Sequence, residues 1–163
     1  MIAIRGVEVE HLTLSGPPRA TFGNRSDAAL SRADPFCAWH WDGASLVAET
    51  DRYGFFTLFS LVQDTDVLLS PSLVSLLHAA GTIELDDAAI AVALRCWMFI
   101  GDDTPFKRIR VLPAGGKLTW TPGEPVKVEG QFIFGKRASI SRDDAIDEYI
   151  SLFRTAVARR PAS

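Results

Sequence analysis

Residues 36–69 read FCAWHWDGASLVAETDRYGFFTLFSLVQDTDVLL, and the fold is predicted outward from this stretch. Four apolar runs follow one another closely, separated by acidic residues and glycine. The pair Asp42-Gly43 after the first run is a strong hairpin signal, because a tight hairpin turn needs positive φ and glycine adopts it without steric cost. Short connections favour antiparallel neighbours. The predicted strands are 36–41, 45–50, 55–63 and 67–69.

The segments before this stretch divide at residue 15. Residues 2–14 alternate loosely between apolar and charged side chains, which is typical of one or two half-buried strands. Residues 15–35 shift to Gly, Pro, Ser, Asp, Asn and Arg, which supply turns and local side-chain to backbone hydrogen bonds. We therefore predict strands followed by a loop.

A short helix is predicted directly after residue 69. Ser70 can cap its first turn, Pro71 suits the first helical position, and Gly81 marks its end.

A second helix should begin after Asp86, which is its predicted cap. Ile90, Leu94 and Trp97 recur at helical spacing and are predicted to form its buried face. The pattern ends near Gly101.

The last third of the chain predicts a second meander and a long helix. The expected strands are 108–112, 117–121 and 126–134, separated by turn sequences that contain proline and glycine. A helix over 142–159 is capped by Ser141, and its apolar stripe has to be buried against this domain or a following one. The stripe consists of Ile146, Tyr149, Ile150, Phe153 and Val157. The fold class is therefore α+β, with antiparallel strands forming most of the core beside short helices.

Composition and charge exclude several classes of protein. Of the 163 residues, 47% are hydrophobic and 23% charged, which is near the average for globular domains. The net charge of -3 gives no reason to expect nucleic acid or an anionic membrane as a partner. Arg5, Glu8 and Glu10 exclude a signal peptide, and no stretch is long enough to span a membrane. We expect a cytoplasmic protein.

The cysteines and histidines indicate no metal site. Cys37 and Cys96 are far apart and lack metal-ligand spacing. Cys37 falls in an apolar strand and Cys96 on an apolar helix face, so both are expected to be buried and inert rather than nucleophilic. His11, His40 and His78 also lack ligand spacing.

A set of short motifs occurs in fixed order over residues 36–122. They are WDG at 41–43, TDRYGFFTLF at 50–59, LSPSLVSLL at 69–77, LDDAAI at 85–90, GDDTPFKRI at 101–109 and LPAG at 112–115. In this order and spacing they resemble the asparagine synthetase family. The resemblance departs from the family at Thr57 and Phe59, where the family has Pro and Tyr. It also departs at the start of the first helix, in LSPSLVSLL at 69–77, where a Glu is missing.

This resemblance implies an Ntn-hydrolase-like sandwich of antiparallel sheets flanked by helices, shortened before Phe36. In complete family members that domain hydrolyses glutamine, and a second domain binds ATP and magnesium through a Ser-Gly-Gly-x-Asp-Ser loop to form an amide. No such loop occurs in this sequence. We therefore expect a degenerate glutaminase-like domain over 1–140 and a helix over 141–163 that leads towards an absent synthetase domain. No cofactor is expected in this chain. The expected partners are that synthetase domain, in cis or in trans, and a second copy in a homodimer.

The resembled glutaminases need an amino-terminal cysteine, because its thiol attacks the amide while its own α-amino group acts as base. Here residue 2 is Ile2, so removal of Met1 would expose an aliphatic side chain. The family's Arg-Gly-Pro-Asp and Asn-Gly-Glu substrate-holding segments are also missing. We therefore assign no catalytic, cofactor-binding or metal-binding residue.

Two loops remain as candidate sites. Asp51, Arg52 and Gly54 are either the remnant of a substrate pocket or a structural turn, and the turn is favoured because Asp and Gly suit sharp turns. Residues 101–105 could contact a nucleotide or a partner domain, or could simply end a helix. The helix-ending role is favoured, because no phosphate-loop pattern accompanies them.

Two functions follow as hypotheses. The first is an inactive amino-terminal domain of an asparagine synthetase-like, ATP-dependent amide-forming protein, serving as a scaffold or dimerisation unit. The second is a stand-alone, non-catalytic module that docks on a separate synthetase domain. A third, self-cleavage to expose Thr13 or Ser15 as a nucleophile, lacks an accompanying base.

Overall fold

A computed structural model describes residues 1–6, 12–23, 35–63, 66–130 and 139–158. The chain divides into two units, Met1–Phe132 and Ile133–Ser163, and each is described here by itself. The described residues form an α+β structure of two five-stranded antiparallel sheets and three helices.

The secondary structure elements are as follows. The strands are β1 Ile2–Gly6, β2 Leu12–Ser15, β3 Arg19–Gly23, β4 Phe36–Trp41, β5 Leu46–Thr50, β6 Phe59–Gln63, β7 Asp66–Ser70, β8 Ile109–Val111, β9 Gly116–Trp120 and β10 Lys127–Gly130. The helices are α1 Leu73–Ala80, α2 Asp87–Cys96 and α3 Arg142–Ala158. The first sheet has the order β2-β1-β7-β6-β8 and the second has the order β10-β9-β5-β4-β3.

The two sheets pack face to face around one apolar core. Strand side chains alternate between the two faces of a sheet, so one face of each can be apolar. In the first sheet Ile2 pairs with Leu69 across β1 and β7, and in the second Trp39 pairs with Ala48 across β4 and β5. These four buried side chains belong to a single hydrophobic cluster. The sandwich is therefore held by inner faces that exclude water.

Helix α1 covers the outer face of the first sheet. Leu76 of the helix is fully buried against a cluster that includes Leu61 and Leu68. Ser72 caps the helix by accepting a hydrogen bond from the Ser75 backbone N at 3.3 Å. The predicted cap at Ser70 is wrong, because Ser70 is the last residue of β7. The predicted stop at Gly81 is confirmed, with φ of 72°.

The outer face of the second sheet is polar. Glu49 and Lys117 lie opposite each other on β5 and β9, and their charged groups are 4.0 Å apart. Glu129 is paired with Lys117 on the other side and is exposed. A face with this composition is typical of a sheet surface that contacts water.

Several predicted strands are confirmed and one predicted loop is wrong in part. The Asp42-Gly43 hairpin joins β4 and β5 as antiparallel neighbours, and residues 2–14 contain β1 and β2. Within the predicted loop 15–35, however, β3 pairs with β4 along five residues. Ala20 and Phe22 alternate with polar residues there, a signal too short to stand out in a polar segment. Residues 24–34 lie outside the described residues.

The predicted sheet connections are wrong at two turns. The turn after Thr50 carries the chain from β5 in the second sheet to β6 in the first, so these strands are not neighbours. Strand β6 also begins at Phe59, not at Phe55. Residues 113–115 carry the chain from β8 in the first sheet back to β9 in the second. Only β9 and β10 of the expected second meander are paired, and its residues 131–134 lie outside the described part.

Helix α2 begins as predicted but buries a different face. The Asp86 side chain accepts a hydrogen bond from the Ala89 backbone N at 3.0 Å, which confirms the cap. Ala89 is the buried residue of the helix, whereas Leu94 and Trp97 are 75% and 93% exposed. The predicted buried face is therefore wrong. The predicted end near Gly101 is also wrong, because the helix stops at Cys96.

Helix α3 forms the described part of the second unit. Ser141 caps it by accepting from the Asp144 backbone N at 3.1 Å, as predicted. The Tyr149 and Phe153 rings stack along one side, with centroids 6.3 Å apart. No helix among the described residues combines the length and hydrophobicity needed to cross a membrane.

Candidate functional site

The Asp51 carboxylate lies buried at the turn that leaves β5, with 2% of the residue exposed. Its oxygens accept hydrogen bonds from the backbone N of Tyr53 at 2.8 Å and of Phe36 and Phe56 at 3.3 Å each. A buried carboxylate is stabilised by such donors, because they replace the water that burial removes. Both oxygens of the Asp51 carboxylate therefore accept hydrogen bonds from the main chain.

The Asp51 backbone extends the same network to a second turn. Its N–H donates to the Phe36 carbonyl at 2.8 Å, and its carbonyl accepts from Gly54 at 3.0 Å and from Gly115 at 2.7 Å. Gly54 has φ of 66°, and a Cβ placed on it would lie 3.2 Å from the Ala114 Cβ. Glycine therefore serves this turn both for its backbone conformation and for the close approach of residues 113–116.

Thr50 completes the junction between the turns. Its Oγ1 donates to the Pro113 carbonyl at 2.6 Å and accepts from the Gly116 N–H at 3.1 Å. We call the turns at 51–54 and 113–116 the crossing turns, because the chain changes sheets at both. The Arg52 guanidinium lies over the Tyr53 ring, 5.7 Å from its centroid. The structure thus brings Asp51, Arg52 and Gly54 together in one turn, in which the Asp51 side chain and backbone bond to the main chain.

Cys37 lies beside this junction and is fully buried. Burial, and secondarily the negative charge of Asp51, raises the pKa of the Cys37 thiol to about 11. The thiol is therefore protonated at neutral pH and is a poor nucleophile. Cys96, in contrast, is exposed, so the expectation that both cysteines are buried is wrong for Cys96.

The two cysteines are expected to react with a thiol reagent at very different rates. At pH 8 and without denaturant, Ellman's reagent should modify Cys96 quickly and leave Cys37 unmodified, because Cys96 is accessible whereas the Cys37 thiol is buried and protonated. The absorbance should therefore indicate one thiol per chain in the native state and two after denaturation. Cys96→Ser serves as the control, since it should remove the fast native reaction. Rapid labelling of Cys37 in that variant would contradict the buried position.

The loop at 101–105 is organised by a buried hydroxyl. Thr104 is 2% exposed, and its Oγ1 lies 2.7 Å from the Ile109 carbonyl and 3.1 Å from the Phe106 carbonyl. It also accepts from the Phe106 N–H at 3.2 Å. The neighbouring Asp103 carboxylate pairs with Arg110 on β8 at 2.5 Å. The loop is thus folded onto β8 through its own polar groups.

The remaining candidates that the structure describes are spread over several elements. Ile2 is fully buried in β1. Thr13 and Ser15 lie on the edge strand β2, with exposed side chains. His40 is exposed on β4, His78 lies in the last turn of α1, and His11 lies outside the described residues. Within the part of the chain that the structure describes, no group of three His, Cys, Asp or Glu residues could hold a metal ion.

A cleft of about 410 Å³ opens where β8 and β10 form the edges of the two sheets. Val62 and Val128 contribute apolar lining, and Lys107, Arg108 and Arg110 contribute positive charge. Lys107 pairs with Glu84, Arg110 pairs with Asp103, and Arg108 donates to the Thr82 carbonyl at 2.8 Å. The cations are therefore already bound to protein acceptors. The sequence offered no signal for this cleft, because it depends on residues from both sheets.

The chain matches no model of a known protein family, and no curated protein matches it significantly.

Proposed function

We propose that this chain is a non-catalytic, Ntn-hydrolase-like scaffold or dimerisation domain of an asparagine synthetase-like, ATP-dependent amide-forming protein. The main support is the position of residue 2. The resembled glutaminases present a nucleophile there, whereas Ile2 is fully buried and pairs with Leu69 in the core. A side chain in that position packs in the core and is not accessible to solvent.

The Cys37 thiol and the Asp51 carboxylate support the same proposal. To act as a nucleophile, the Cys37 thiol would have to lose its proton, but burial and the nearby negative charge of Asp51 raise its pKa. A substrate at Asp51 would have to displace three backbone donors from a buried carboxylate. Both groups are therefore better suited to stabilising the crossing turns than to chemistry.

ATP and magnesium would be bound by a separate synthetase domain. The sequence contains no Ser-Gly-Gly-x-Asp-Ser loop, and the described residues include no cluster of metal-binding side chains. The residues of this chain therefore do not fit ATP or magnesium. In the resembled family the activated carboxylate reacts with an amine, which here would come from free ammonia or from the substrate itself.

A stand-alone module that docks on a separate synthetase domain is the second candidate. It is favoured by the exposed apolar side chains at and after the end of α2, because large apolar surfaces commonly mark interaction sites. A synthetase loop encoded downstream in the same reading frame would favour the scaffold domain, and a stop codon after Ser163 would favour the module.

The proposal predicts no glutaminase activity, even when a thiol is supplied. Purified chain, with its amino terminus confirmed by intact mass, should release no glutamate from glutamine above background. Ile2→Cys should also be inactive, because the introduced thiol would point into the core. Ile2→Val serves as the matched control for folding without a thiol. Turnover in the wild type that is lost in Cys37→Ala, or turnover gained in Ile2→Cys, would overturn the proposal.

A further inference from the structure

The cleft between β8 and β10 has one wall that carries arginines on the inner face of the first sheet. Alternate residues of a strand point to the same face, and Leu112 belongs to the core cluster between the sheets. Arg108 and Arg110 lie two and four positions before it along β8 and line the same cleft. The two guanidinium groups are therefore placed on the side of the sheet that faces the core.

The opposite wall and the floor of this cleft are apolar. Val126 and Val128 line it from the second sheet, and Val62 lines it from β6. Val62 and Val126 also pack against the core cluster. The volume of about 410 Å³ is within the range of small-molecule sites. The cleft thus combines apolar surface with positive charge, which is complementary to a molecule with one apolar end and one anionic end.

Edge protection does not account for the two inward arginines. Inward-pointing charges can keep an edge strand from pairing with another chain, and β8 is the edge of its sheet. Here residues 101–106 already close that edge. The Val111 N–H donates to the Asp102 carbonyl at 2.9 Å, and the Ile109 N–H donates to the Phe106 carbonyl at 3.3 Å. The charges are therefore not needed for this purpose.

The Arg108 guanidinium is held in place by neutral acceptors. It donates to the side-chain oxygen of Gln63 and to the Thr82 carbonyl, the latter at 2.8 Å. No carboxylate of the described residues forms an ion pair with it. A guanidinium has five N–H donors, so these two hydrogen bonds leave others for a ligand. Arg108 is thus oriented by the protein, and its charge has no ion-pair partner in the described ranges.

The other charges of the cleft leave a positive excess. Lys107 pairs with Glu84 and Arg110 pairs with Asp103, and both pairs are partly exposed to solvent. Exposed ion pairs contribute little to stability, so a ligand carboxylate can exchange with them. Among the described residues that line the cleft, Asp102 is the one acidic residue beside three cations.

We propose that this cleft binds a small amphipathic carboxylate, such as a medium-chain fatty acid. Its carboxylate would accept hydrogen bonds from Arg108, and its hydrocarbon chain would lie on Val62 and Val126. Charge-assisted hydrogen bonds fix the anionic end, and removal of the chain from water stabilises the complex. A peptide that adds a strand would need an open edge, and the outer edge of β8 is closed. The inference does not depend on the proposed scaffold role.

The test is a titration of the isotope-labelled full chain with octanoate, followed by heteronuclear NMR. Octanol has the same hydrocarbon chain without the charge, and it should bind at least about tenfold more weakly than octanoate. Arg108→Gln should weaken octanoate binding by at least about tenfold and leave octanol binding unchanged, which also shows that the variant is folded. Arg95→Gln removes an exposed cation of α2 outside the cleft and should bind octanoate as the wild type does.

The indole N–H of Trp120 reports whether the ligand enters the cleft. Trp120 is 1% exposed, and within the described part of the chain its Nε1 has no hydrogen-bond partner. The register of β9 against β10 places it opposite Val126 of the cleft wall. Octanoate should therefore shift the indole signal that is lost in Trp120→Phe more than the signal lost in Trp97→Phe, since Trp97 lies exposed after α2.

Several outcomes would overturn the proposal. They are no binding of octanoate, equal affinities for octanoate and octanol, wild-type affinity in Arg108→Gln, and a larger shift at Trp97 than at Trp120. The last result would mean that the hydrocarbon chain binds the exposed apolar residues after α2 instead of the cleft.

Discussion

Replacing Asp51 by alanine is expected to lower the free energy of unfolding by about 3–5 kcal/mol, because three backbone N–H groups lose one buried acceptor together. The loss affects two segments, since the Asp51 side chain joins the start of β4 at Phe36 to the turn at Tyr53 and Phe56. The backbone hydrogen bonds of residue 51 to Phe36, Gly54 and Gly115 remain in the variant. Equilibrium unfolding in urea, followed by tryptophan fluorescence, measures the change.

Two further variants test whether the buried position of the Asp51 carboxylate causes the loss of stability. Asp51→Asn keeps the shape and one acceptor oxygen, so its loss of stability should be smaller than that of Asp51→Ala. Asp42→Ala removes a carboxylate that also accepts from two backbone N–H groups, Ala44 at 2.8 Å and Ser45 at 2.7 Å, but at an exposed hairpin. Water can satisfy those donors, so this variant should be clearly less destabilised. Equal losses in Asp42→Ala and Asp51→Ala would show that burial does not determine the effect.

Features set by neighbouring residues could be predicted from the sequence. The Asp42-Gly43 turn, the bounds of β4 and the caps at Asp86 and Ser141 each depend on a few adjacent residues. Hydrogen bonds at a helix start or a hairpin join residues two to four positions apart, so they remain visible in a linear pattern.

The assignment of strands to sheets could not be predicted in the same way. The sequence of a short turn is similar in two cases: when the next strand pairs with the previous one, and when it belongs to the opposite sheet. Here the crossing depends on Thr50, whose hydroxyl bonds to Pro113, 63 residues away. No local pattern contains that information, because strand propensity is overridden by contacts between residues that are distant in the sequence.

In the candidate site, too, local features could be predicted from the sequence and long-range contacts could not. The sequence indicated Asp51, Arg52 and Gly54 as members of one turn, but it contained no sign that Gly115 donates to the Asp51 carbonyl or that Cys37 lies nearby. The exposed apolar side chains at and after the end of α2 were missed for a different reason. Leu94 and Trp97 share the helical spacing of a core face, and α2 instead buries the small side chain of Ala89. An apolar stripe identifies a surface that avoids water and does not specify what covers it.

Thr104→Val is expected to lower the free energy of unfolding by about 2–3 kcal/mol, because the buried Ile109 carbonyl and Phe106 N–H both lose their hydrogen-bond partner. Thr104→Ser keeps the hydroxyl and loses one methyl group, so its loss should be about 1 kcal/mol. The same urea titration distinguishes the two. Equal losses in both variants would mean that the methyl group packs the loop onto β8 and that the hydroxyl contributes little. A large loss in Thr104→Val alone would instead identify one buried hydroxyl as the group that folds residues 101–105 against the first sheet.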